Sequence, residues 1–192
     1  MKLLRFLFDK LFSKKAQVPE QESDLSERSS SERIGDEFER YVVSLFGRSN
    51  NRSKRAYFSI EYWTQDINRK RGEIGNIEII SDLYPDLILC YNGKEYFAVE
   101  CKYRNQFFFS KESHGKVIKW SYPAQMDRYQ QFQKMKNIPV FIVIGVGGTP
   151  SCPMKMYCLP LNDAKYPELY EFFLEKYERG KKPFYWRNGK LH

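Results

Sequence analysis

Residues 139–146, PVFIVIGV, are apolar without a break and stop at Gly147-Gly148. So short a run cannot span a bilayer, which takes about 20 residues as a helix. It suits a strand covered on both faces, because only such a strand has no polar side. Just before it, residues from about Tyr122 to Lys136 place Met126, Tyr129, Phe132 and Met135 at helical spacing, with Ser121 as the expected cap and Pro123 in the first turn. A helix leading into a doubly covered strand predicts a β-helix-β crossover, as in an α/β fold.

Upstream, IGDEFERYVVSLF carries Ile34, Phe38, Tyr41, Val42, Leu45 and Phe46 on one helical stripe. Ala56 to Trp63 is strand-prone, QDINRKRG reads as an exposed loop, and NIEII, DLILC and EYFAVECKY read as strands, the last two joined at Asn92-Gly93. A last helix is expected from about Pro167 to Glu178, followed by the aromatic segment PFYWR. The first 15 residues, MKLLRFLFDKLFSKK, form a basic amphipathic pattern through Leu4, Leu7, Phe8 and Leu11. Residues 16–33 hold almost no large apolar side chain and read as a flexible linker, so the folded domain is expected over 34–192.

Charge and composition narrow the chemistry. The net charge is +8, and residues 35–192 alone carry 25 Lys and Arg against 18 Asp and Glu, so the folded part is basic and favours a polyanionic partner. Only two histidines occur, His114 and His192, which excludes mechanisms and metal cages built on several imidazoles. The four cysteines have no CxxC spacing and read as small buried residues in a reducing, cytoplasmic chain. GVGGTP, residues 145–150, lacks the Lys-Ser/Thr of a phosphate loop and reads as a turn.

The segment YPDLILCYNGKEYFAVECKYR, residues 84–104, bears two carboxylates and a lysine whose geometry depends on the hairpin register. A two-residue turn at Asn92-Gly93 would pair Asp86 with Val99 and send Asp86 and Glu100 to opposite faces. A three-residue loop, Tyr91-Asn92-Gly93, pairs Asp86 with Ala98 and places Asp86, Glu100 and Lys102 on one face. It also leaves Leu87, Leu89, Phe97, Val99 and Cys101 as an apolar set for the core, so the longer loop is expected. Two carboxylates so placed repel unless a cation joins them, and oxygen ligands suit Mg²⁺ or Mn²⁺. Lys102 beside that ion would orient or deprotonate a water, or neutralise a phosphate.

Pro85-Asp86 followed by Glu100-Cys101-Lys102 resembles the PD-(D/E)XK nuclease superfamily, the restriction-endonuclease-like fold. The resemblance covers about 110 residues, Ile34 to Val146. It implies a core of helix, three strands, helix and strand around a mixed central sheet flanked by helices. It further implies a metal-dependent nuclease in which Asp86, Glu100 and the Cys101 carbonyl hold the ion and Lys102 acts on the water. Gly35 and Glu39 match the helix glutamate of members similar to Holliday-junction resolvases, so Glu39 would complete the metal shell. Gln125 and Tyr129 in QMDRY resemble the Q-x-x-x-Y signature of RecB-type nucleases, in contact with the active-site strand or the DNA.

Arg104, two residues beyond Lys102, is the leading phosphate contact, with Lys70, Arg71, Lys116 and Lys119 as further candidates. Trp63, Trp120 and Trp186 are candidates for stacking on bases, although at least two are expected in the core. The partners expected are thus DNA first, a membrane surface or protein for residues 1–15, and a second copy of the chain. Two other readings remain: a catalytically silent nucleic-acid module, and an adaptor tethered through its N-terminal helix.

Overall fold

A computed structural model describes residues 30–52, 57–64 and 84–192. The basic N-terminal segment, most of the expected linker, the QDINRKRG loop with Lys70 and Arg71, and the NIEII run lie outside the described residues. The described residues open with α1 (Ser30–Arg52), then β1 (Phe58–Trp63), β2 (Leu87–Tyr91) and β3 (Glu95–Arg104). A short hairpin follows, β4 (Phe108–Ser110) and β5 (Gly115–Lys119), and then α2 (Pro123–Lys136), β6 (Val140–Thr149) and β7 (Cys152–Pro160). The C-terminal part holds β8 (Glu168–Tyr170), α3 (Glu171–Glu175), β9 (Trp186–Arg187) and β10 (Lys190–Leu191).

Five strands form a mixed sheet in the order β1-β2-β3-β6-β7, with β3 and β6 parallel and the other neighbours antiparallel. The parallel pair is the product of the expected crossover through α2. Helix α1, the strands β1, β2 and β3, α2 and β6 follow one another in the order the resemblance implied.

Both faces of the sheet are buried, each in its own core. Phe38, Val42, Leu45 and Phe46 of α1 pack on Leu87, Leu89, Phe97, Val99 and Cys101, the apolar set expected on one face of the hairpin. Met126, Tyr129 and Phe132 of α2 pack on the other face, on Ile88, Ala98, Ile142 and Ile144. The second sheet, β4-β5-β8, adds Ile118 and Leu169 to that same core. Residue alternation along β6 feeds both, Phe141 and Val143 one way and Val140, Ile142 and Ile144 the other. At Gly145 the Phe38 ring comes so close that an added Cβ would lie 2.4 Å from it, so only glycine fits.

Several expectations are corrected. Helix α1 starts at Ser30, four residues into the stretch read as linker, and Ile34 is exposed. The residue before α2 is Tyr122, not Ser121, and Met135 is 69% exposed. Residues 167–178 are not one helix: Glu168–Tyr170 pair with β5, and only Glu171–Glu175 are helical. GVGGTP is strand as far as Thr149, with the turn after it.

Candidate functional site

The β2–β3 hairpin decides which side chains meet. Tyr91 pairs with Glu95 and Leu87 with Val99, so the loop is Asn92-Gly93-Lys94. Asn92 and Gly93 take positive φ of 51° and 66°, and the Lys94 N–H donates to the Tyr91 carbonyl at 3.1 Å. A three-residue loop was expected, but one position earlier. The shift moves the partner of each β2 residue by two, so the facing of every side chain is kept. Continued one step, the register sets Asp86 beside Glu100 rather than Ala98. The Asp86 carboxylate Oδ2 accepts the Cys101 N–H at 2.7 Å, which fixes it against β3.

Glu100 is 1% exposed, in the middle of the sheet beneath α2. Its Oε1 accepts the Tyr129 hydroxyl at 2.5 Å and pairs with the Lys102 ammonium. Its Oε2 is buried and, among the described residues, has no hydrogen-bond donor. A buried carboxylate oxygen without a partner is costly, so this atom marks the place where a cation or donor belongs.

The electrostatics agree. Asp86 is crowded by protein atoms; burial first, then the charges of Glu100 and Glu39, hold its pKa well above the usual carboxylate range. Lys102 and the Cys101 N–H oppose this but do not cancel it. Burial would lower the Lys102 pKa, yet the Glu100 and Asp86 carboxylates outweigh it and the group stays protonated. Burial, then the Glu100 charge, raises the Tyr129 phenol, so it remains a donor.

Glu39, expected to complete a metal shell, is buried at the end of the site, near enough for its charge to act on Asp86, and its Oε2 is held by two donors of the chain. A bulge between Ile60 and Tyr62 sends Phe58 to one core and Tyr62 to the other. Beyond it, Trp63 Nε1 and Thr64 Oγ1 donate to Glu39 Oε2 at 3.0 and 3.4 Å. Among the described residues no three His, Cys, Asp or Glu side chains are gathered closely enough to hold an ion. What the chain offers is a carboxylate pair, one of whose oxygens lacks a donor. Such a pair fits Mg²⁺ or Mn²⁺, since Mg²⁺ commonly takes one or two carboxylates and keeps several waters.

Other expected site residues fall differently. Gln125 turns to the start of α2, its Oε1 accepting Ser121 Oγ at 3.1 Å and the Tyr122 N–H at 3.4 Å. Arg104 points inward: Nε donates to the Lys119 carbonyl at 2.7 Å, Nη1 to Tyr103 at 2.8 Å and Nη2 to Trp120 at 3.1 Å. It ties the end of β3 to the link before α2. Lys116 pairs with Glu171 at 2.7 Å, and Lys119 lies over the Tyr122 ring, 4.1 Å from its centre. Trp120 and Trp186 are buried, while Trp63 is half-buried against Glu39. Tyr129 was expected on the strand or the DNA, and it is the strand carboxylate that it meets. Thr64 went unnoticed in the sequence, because the bulge that delivers it leaves no pattern.

No family model matches the chain, and no curated protein matches it. Among solved structures it is similar to Hjc, a Holliday junction resolvase from the archaeal hyperthermophile Archaeoglobus fulgidus, with 11% identity and a TM-score of 0.46 over 74% of this chain and 93% of that one.

Proposed function

We propose that this chain is a nuclease that hydrolyses phosphodiester bonds in DNA with the help of a divalent cation. The observation that carries the reading is the buried, donorless Oε2 of Glu100, set beside Asp86 and Lys102 on one face of a hairpin. Asp86, Glu100 and the Cys101 carbonyl would hold Mg²⁺ or Mn²⁺. When bound, such an ion stabilises charge growing on the scissile phosphate and lowers the pKa of a coordinated water.

The chain's own residues supply the rest. Tyr129 fixes the Glu100 carboxylate through the short hydroxyl contact, so one oxygen is committed and the other is presented. Lys102 holds its proton, which suits it to neutralise a phosphate oxygen or orient a water rather than to act as a base. Asp86 is held towards its protonated form, so it must give up a proton to become a ligand, and metal affinity rises with pH. The basic surface, +7 over residues 35–192, favours a polyanionic substrate.

The test is incubation of the protein with labelled branched, nicked and linear DNA in Mg²⁺, Mn²⁺ or EDTA. Cleavage is expected with the metals, none in EDTA, and none from folded Asp86→Ala or Lys102→Ala. Wild-type cleavage by either variant overturns the assignment. Salt-sensitive DNA binding without cleavage of any substrate would leave a silent binding module instead.

A further inference from the structure

A cavity of about 480 Å³ lies at the β7 edge of the main sheet, and none of Asp86, Glu100 or Lys102 lines it. Its size is within the range of small-molecule sites, roughly 300–1,000 Å³, and exceeds what a bare inorganic anion fills. Four cations line it, Lys176, Arg179, Lys182 and Lys190, against two carboxylates, Asp163 and Glu178. One of those carboxylates is already engaged, Asp163 Oδ2 accepting the Tyr177 hydroxyl at 2.8 Å.

Arg179 is the telling residue. Its Nη2 donates to the Lys182 carbonyl at 2.6 Å, and its guanidinium carbon stands 3.6 Å from the centre of the Phe184 ring. These contacts fix the group in place. Its Nε and Nη1 are buried and, among the described residues, have no acceptor. No carboxylate pairs with this guanidinium among the described residues, so its charge acts on the cavity that it lines and favours an anion there. The cavity also has a flat wall: the Tyr185 ring stacks on the His192 ring with centres 4.9 Å apart and planes 11° from parallel, and Tyr185 is 56% exposed.

We propose that this cavity binds a phosphate group carried on a flat ring, the chemistry of a nucleoside monophosphate. Arg179, Lys182 and Lys190 take the phosphate, and the Tyr185–His192 stack takes the ring. The site stands apart from the hairpin and does not depend on the nuclease reading.

The test is calorimetric titration of the full chain in EDTA with adenosine 5′-monophosphate, inorganic phosphate and adenosine. The monophosphate is expected to saturate one site, inorganic phosphate to bind about tenfold or more weakly, and adenosine to give no saturable heat. Arg179→Gln should weaken the monophosphate at least about tenfold. Because Arg179 packs on Phe184 and its loss could unfold the region, Lys182→Gln/Lys190→Gln serves as the second variant. It should weaken binding to a similar degree while leaving the thermal midpoint unchanged. The hairpin variant Asp86→Ala should bind as wild type does. Absence of saturable binding, equal affinity for inorganic phosphate, insensitivity to the double lysine variant, or loss of binding in Asp86→Ala would each overturn the proposal.

Discussion

Tyr129→Phe isolates one atom of the candidate site. The hydroxyl lies 2.5 Å from Glu100 Oε1, and both residues are buried, at 4% and 1% exposure. Phenylalanine keeps the ring and its stacking on Trp120, so no cavity opens and the change is confined to the donor. A hydrogen bond to a charged acceptor contributes about 1.5–3 kcal/mol, so a loss of about 2 kcal/mol is expected. For a domain of this size that lowers the thermal midpoint by about 4–8 °C. The assay is urea denaturation in EDTA of wild type, Tyr129→Phe, Glu100→Gln and the double variant. The two changes should be non-additive by about 1.5 kcal/mol or more, since they break one bond. Additive losses, or a Tyr129→Phe cost below about 0.5 kcal/mol, would refute the placement of this phenol on Glu100.

Other outcomes follow from the same structure. Asp86 has a raised pKa in the folded chain, so metal-free protein binds this proton more tightly than the unfolded chain does. Its contribution is therefore full below the unfolded value and lost as pH rises through the folded one, at up to about 1.4 kcal/mol per pH unit. Asp86→Asn should remove that slope in EDTA, and denaturation across pH 3–8 will show whether it does. Arg104→Met should cost about 2 kcal/mol or more, because three carbonyls lose a charged donor. An unchanged stability combined with a weaker salt dependence of DNA binding would place Arg104 on phosphate instead. Gly145→Ala should cost about 1–3 kcal/mol through collision with Phe38, and Phe38→Leu in the same chain should recover part of it in urea denaturation.

The hairpin was legible because its information is local. Alternation fixed which residues of β2 and β3 face together, and Asn92-Gly93 marked the turn. What alternation could not fix was the loop position: Tyr91 stays paired because its ring packs on Phe58 and faces Trp186, both distant in sequence. The same holds for residues 167–178, where Leu169, Phe173, Leu174 and Tyr177 suit a helix equally well. Pairing of Leu169 with Ile118, some fifty residues away, pulls the first part into a strand. Arg104 is a further case. Its position beyond Lys102 suggested an outward cation, while its actual partners are carbonyls at a chain crossing that no spacing announces. Glu39 is buried on α1, and its tie to Trp63 depends on a bulge invisible in composition.

The three bonds of Arg104 have one more implication. Two of them, to Lys119 and Trp120, rivet the strand bearing Glu100 and Lys102 to the entrance of the helix bearing Tyr129, so these groups are set before any ligand arrives. Under the proposed function, a site set in advance leaves the adjustment to the substrate. On that proposal, discrimination among DNA forms would rest on how readily a duplex bends or frays at the step to be cut.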